Sequence, residues 1–165
     1  MLESRSPVLG QASFEASGLA LKELPGFTLT QVAGEERVLT RVLGVLPDFG
    51  KAEKSEGLTL MRVGPSQIWV LGEEPKGRGL LVTPLSSGRT RFQLEGENAR
   101  TLLSHCAAID FDEGVFTTGH YVMTGIHHTP VLIHCVRKST FHIYAMRSFA
   151  QSTWEWLVDA AHGLR

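Results

Sequence analysis

The chain has 165 residues, of which 42% are hydrophobic and 20% charged. That is the composition of one ordinary globular domain, and it argues against a two-domain enzyme with separate cofactor and substrate halves. Sixteen Lys and Arg stand against seventeen Asp and Glu, a formal net charge of -1, which argues against strong binding to nucleic acid or to an anionic membrane.

The first twenty residues are rich in Ser, Gly and Ala without a sustained period, and they read as an N-terminal arm lying over the surface or over a partner. They lack a basic stretch followed by an apolar run, so no secretory signal is expected. Phe27 to Val32 alternates as a strand, and Val38, Leu39, Val42 and Leu43 then follow at helical spacing until Gly44 and Pro47 close the helix. Residues 48–57 read as a polar loop. Leu58 to Val63 and Ile68 to Leu71 are β runs joined by Gly64-Pro65-Ser66-Gln67, which has the length of a hairpin connection.

The same order then returns. Arg91 to Leu94 is a short strand, Asn98 can cap a helix with Ala99, Leu102, Leu103 and Cys106 on one face, and Val131 to Val136 with Thr140 to Met146 form a second hairpin. Aligning Gly34 with Gly96 pairs VAGEERVL with LEGENART. The reading is one domain over 1–165 made of two pseudo-repeats, about 21–82 and 83–165, and hence an α+β fold with a mainly antiparallel sheet. The last helix is expected over about 148–162, with Ser148 as its cap and a core stripe of Phe149, Thr153, Trp156, Leu157 and Ala160. Trp154 and Val158 fall off that stripe, and an aromatic outside the core-facing stripe is a candidate contact for another protein, the alternative being a helix buried on two sides within the same domain.

Residues that carry chemistry are sparse. No GxGxxG or GxxxxGK[ST] phosphate cradle and no GxSxG elbow occurs, and Ser66 and Ser86 sit in turns where a hydroxyl usually serves local hydrogen bonds. His105-Cys106 and His134-Cys135 are sequence neighbours, whose side chains diverge on either a helix or a strand. All seven histidines lie between His105 and His162, and His127, His128, His134 and His142 can converge across a hairpin. Their spacing matches no zinc pattern, so ordinary hydrogen-bonded or surface histidines are expected. Two isolated cysteines point to a reduced, cytoplasmic protein. The longest stretch without Asp, Glu, Lys or Arg, Gly114 to Val136, is broken by glycines, histidines and a proline, so no membrane span is expected.

Several ordered motifs nevertheless resemble one family. Arg5-Ser6-Pro7, Leu43-Gly44, Leu46-Pro47 and Gly64-Pro65…Trp69 lead into residues 94–124 and 146–161. These carry a Gly96-x-x-Ala99-Arg100 helix start, Ile109-Asp110-Phe111, Phe116-x-x-Gly119 and Arg147-Ser148-Phe149-Ala150. In that order they resemble the gamma subunit of heterotetrameric sarcosine oxidase. The resemblance implies a fold similar to the folate-binding domain of the glycine-cleavage aminomethyltransferase, itself an internal duplication. It implies a non-catalytic accessory subunit in a complex that oxidatively demethylates sarcosine to glycine, with alpha, beta and delta subunits as partners. FAD, FMN, NAD, tetrahydrofolate and zinc would then belong to those other subunits. Where the family tends to carry Asp-x-Ser before the second-half strand, this chain has Pro84-Leu85-Ser86, which lowers any expectation of folate binding. The expected subunit interface comprises Trp154, Arg147, Arg5 and Pro7, with no catalytic, cofactor-binding or metal residue. The alternatives are a stand-alone folate-dependent one-carbon transferase and a small-ligand-binding module that homo-oligomerises.

Overall fold

The structure, a computed structural model, describes residues 6–8, 13–16 and 18–164. By its contacts the chain divides into two compact units, one comprising Gly26–Ser87 with Gly119–Tyr121 and the other the remaining residues.

The first of these units holds β3 (Leu29–Ala33), α1 (Glu36–Leu43), β4 (Glu53–Ser55), β5 (Leu58–Gly64), β6 (Gln67–Leu71) and β7 (Leu81–Pro84). Its strands make a five-stranded sheet in the order β4-β5-β6-β3-β7. Helix α1 buries Leu39 and Leu43 and ends at Gly44, whose φ of 79° supplies the left-handed stop. Those two leucines pack with Val32, Leu60, Ile68 and Val70 into the core of this unit. The polar loop expected over 48–57 is partly ordered: Glu53–Ser55 pairs with Leu58–Leu60, and Lys51 forms an isolated bridge with His120.

The other unit holds β1 (Ser13–Ala16), β2 (Leu19–Glu23), β8 (Arg89–Gly96), α2 (Ala99–Cys106), β9 (Tyr121–Ile126), β10 (Thr129–Arg137), β11 (Thr140–Met146) and α3 (Ala150–His162). Its sheet runs β1-β2-β8-β11-β10-β9. Phe92, Leu94, Ile133, Phe141 and Ile143 form the core side of that sheet and meet Leu102 and Leu103 of α2 and Leu157 of α3. The described part of the first twenty residues is not an arm over the surface. Val8 is buried in this core, and β1 and β2 pair with one another and, through β2, with β8.

The two sheets share one connectivity. Taken from β4, the order β4-β5-β6-β3-β7 matches β9-β10-β11-β8-β2 of the other sheet, with strand, helix and hairpin in the same succession. The glycines aligned in the sequence occupy equivalent positions. The Gly34 amide donates to the Ser66 carbonyl at 3.2 Å and the Gly96 amide to that of Ser139 at 3.1 Å, each carbonyl belonging to the last residue before its hairpin's second strand.

Candidate functional site

Alternation along β8 buries Thr90, Phe92 and Leu94 and turns Arg89, Arg91, Gln93 and Glu95 to the opposite face. The ladder registers extend that face. Lys22, Gln93, His142 and His134 stand in one row across four strands, and Arg91, Tyr144 and Leu132 in the next. His142 Nε2 lies 3.4 Å from Gln93 Oε1, Gln93 Nε2 donates to Glu95 at 2.7 Å, and the other Glu95 oxygen is 3.7 Å from Lys22 Nζ. His134 is buried. Burial holds the His142 imidazolium pKa down to about 4, with Arg91, His134 and Lys22 pushing the same way. Burial likewise raises the Tyr144 hydroxyl, against the opposing effect of Arg91. The two rows therefore present a neutral imidazole and, beside it, a neutral phenol at neutral pH, groups suited to hydrogen bonding rather than to proton transfer. The hairpin does bring His134 opposite His142, but among the described residues no group of three or more His, Cys, Asp and Glu could hold a metal ion.

The other sequence candidates for chemistry are tied to structure. The Cys106 thiol is pushed up to about 11 by burial, and burial raises Cys135 despite the nearby Arg100 guanidinium, so neither is a ready nucleophile. Ser86 Oγ accepts from the Leu29 amide at 2.9 Å and donates to the Leu29 carbonyl at 3.3 Å. Between β6 and β7 the Arg78 carbonyl accepts from the Arg41 guanidinium at 3.1 Å.

The expected interface residues separate. Arg5 lies outside the described residues. Pro7 is half-buried beside Ser6, whose hydroxyl bonds Glu23 and the Val8 main chain. Arg147 is half-buried in a 3-10 turn, Arg147–Phe149, that leads into α3. Trp154 corrects the helical-wheel expectation. It is 6% exposed, and its ring lies 5.7 Å from that of Phe92 in the core, so it has no free face for a partner. The buried stripe of α3 is Ala150, Thr153, Trp154, Leu157 and Ala161. Trp156, assigned above to the core stripe, is instead 41% exposed and stacks on His127 with ring centroids 4.0 Å apart. Ser148 is not the cap, since Phe149 occupies that position and no side chain caps it. The small Ala150 and Ala161, easily overlooked beside tryptophans, were the signal for the true phase.

Comparison with known proteins places this geometry. Residues 6–163 match the model of the family "Sarcosine oxidase, gamma subunit family". The chain belongs to the sarcosine oxidase gamma subunit family. Two sarcosine oxidase gamma subunits from Corynebacterium species, strains P-1 and U-96, are 30% and 29% identical over 88% of this chain. The chain spans about two thirds of their length, 66% and 65%. Among solved structures, a chain of heterotetrameric sarcosine oxidase from Corynebacterium sp. U-96, in complex with pyrrole 2-carboxylate, superposes with a TM-score of 0.81. It is 22% identical, with 97% of this chain and 95% of that one covered. The glycine cleavage system aminomethyltransferase T of Bartonella henselae superposes with a TM-score of 0.65 at 15% identity, covering 86% of this chain and 46% of that one. The fold is thus an α+β, antiparallel, folate-binding-domain-like fold.

The motifs of this gamma-family chain are joined by one side chain. Arg100, from Gly-x-x-Ala-Arg, donates to the carbonyls of Phe111 at 2.6 Å and Phe116 at 2.9 Å, which belong to the Ile-Asp-Phe and Phe-x-x-Gly motifs. Two further bonds reach the Lys138 carbonyl. Pro84, where a carboxylate is expected of folate-using relatives, is exposed at the end of β7, and the neighbouring Ser86 is committed to the Leu29 main chain. No described helix is long and apolar enough to cross a membrane.

Proposed function

We propose that this chain is a non-catalytic accessory subunit of a cytoplasmic sarcosine-oxidase complex, which oxidatively demethylates sarcosine to glycine. The observation that carries the reading is the family match over residues 6–163. Its partners are alpha, beta and delta subunits, and those chains hold FAD, FMN, NAD, tetrahydrofolate and zinc. The chain's own contribution is surface. The buried thiols and the depressed His142 supply neither nucleophile nor general base near neutral pH.

Co-expression of the four chains, with and without this one, tests the reading. The expected result is a stable complex with sarcosine-dependent oxygen consumption that falls or fails to assemble when this chain is omitted. Full assembly and activity without it would overturn the proposal. Calorimetry of the isolated chain with tetrahydrofolate is expected to show no heat at high micromolar ligand. Stoichiometric binding would favour a folate-dependent transferase instead.

A further inference from the structure

The exposed side of α3 combines aromatics with carboxylates that form no ion pair among the described residues. Seven large hydrophobics are exposed among the described residues; two of them, Phe149 and Trp156, lie on α3 or on the turn that leads into it, and Met146 ends β11 just before that turn. Phe149 caps α3 from that turn and Trp156 lies seven positions further on, with the exposed Ser152, Glu155 and Asp159 on the same helix. Helix α3 contains no Lys or Arg, and none of the ion pairs between described residues includes Glu155 or Asp159. Among the described residues Glu155 accepts from the neutral Gln151 amide, at 2.6 Å. Asp159 falls in the last turn, where the negative end of the helix dipole disfavours a carboxylate. Asp159 thus opposes the helix dipole in a last turn whose one basic side chain is His162, and a cation from outside would neutralise it.

The aromatic part of this surface is held in place beforehand. The Trp156 indole stacks at 22° on His127, whose ring lies 4.2 Å from that of His128. His127 itself sits at a φ of 53°, a left-handed conformation that costs an L residue energy and places its ring over the indole. An anchor fixed before contact loses little rotamer freedom on binding. A guanidinium stacks on an indole and forks to carboxylates, which an ammonium does less well.

We infer that this surface, Phe149 at the cap of α3 with Trp156, Glu155 and Asp159 on the helix, docks an arginine-bearing basic segment of a partner subunit. The inference rests on the accessory-subunit reading above and adds the place and chemistry of one contact.

Affinity purification of the full chain co-expressed with the alpha, beta and delta subunits tests it, using Trp156→Ala, the pair Glu155→Gln with Asp159→Asn, and the reversal Glu155→Lys with Asp159→Lys. Circular dichroism of each isolated variant checks folding. At least a tenfold loss of co-purified subunits is expected for Trp156→Ala. The neutralised pair is expected to weaken recovery several-fold and the reversed pair more, with the wild-type complex weakening as salt is raised. If wild type recovers no subunit, the accessory-subunit reading fails and this inference with it. If wild type recovers the complex and every folded variant does so equally, the inference alone is overturned. Loss with Trp156→Ala but wild-type recovery for both charge variants overturns the basic partner. A homodimer in light scattering that Trp156→Ala dissociates assigns the surface to a second copy and overturns the inference.

Discussion

A Cβ placed on Gly96 would stand 2.0 Å from the Gly18 carbonyl oxygen and 3.0 Å from the Leu19 Cα. The contact is backbone against backbone where β8 pairs with β2, so no side-chain rotation relieves it. Gly96 also has a φ of 131°. Gly96→Ala is therefore expected to cost about 3 kcal/mol or more from clash and backbone strain together. Gly26, at a φ of 71° with nothing within 4 Å of its Cβ position, is the control and should lose only about 1 kcal/mol as Ala. Urea midpoints of the two variants check the contrast, and equal midpoints would contradict it.

The two tryptophans of α3 should respond in opposite ways. Trp154 lies in the core against Phe92, so Trp154→Ala is expected to lose about 3–5 kcal/mol of stability. Trp156 is exposed, and Trp156→Ala should change stability by less than about 1 kcal/mol. Thermal unfolding of the isolated chain reads both. A Trp156 variant that unfolds as readily as the Trp154 variant would show that the His127 stack bears on folding.

His142 makes stability depend on acid. Its folded pKa of about 4 lies below the ordinary 6.5, first through burial and then through Arg91, His134 and Lys22. Between those values the unfolded chain binds a proton that the folded chain does not. The contribution is thus complete above pH 6.5 and lost as pH falls to about 4. Partial solvent access reduces it to the order of 1–2 kcal/mol. His142→Gln should flatten the urea midpoint between pH 4 and 6.5, and an unchanged slope would assign the acid sensitivity elsewhere.

How much of this was legible in the sequence depended on whether the pattern was local. Helix α2 was plain because Ala99, Leu102, Leu103 and Cys106 repeat at one helical face, and all four are buried. The β10–β11 hairpin was plain enough to put His134 and His142 on neighbouring strands, and the register sets them opposite one another. The polar row they belong to was not, because Lys22 and Gln93 reach it only through the β2–β8 and β8–β11 pairings, contacts between residues far apart in the chain. Strands β1 and β9 lie at the sheet edges, where half-exposed positions and glycines blur the alternation. The phase of α3 was misread because Ser148 was given the cap, whereas a 3-10 turn precedes the helix and shifts its start to Ala150.

Arg100 yields the last prediction, since one guanidinium closes the segment after α2. Its donors meet the Phe111, Phe116 and Lys138 carbonyls, its fork approaches Cys135 Sγ at 3.7 Å, and its plane lies 5.2 Å over the Phe141 ring. No acid is among these partners, so the charge is held by carbonyl dipoles and a π face, an arrangement that requires the planar fork. Arg100→Ala leaves these acceptors without their donor and should cost about 3 kcal/mol or more. Arg100→Lys keeps the charge but reaches fewer of the acceptors, and it should lose about 1–2 kcal/mol. Hydrogen exchange of the amides in residues 107–118 provides a second readout. They should exchange faster in both variants while those of β5 and β6 keep their protection, and uniform acceleration across the chain would refute a local role for Arg100.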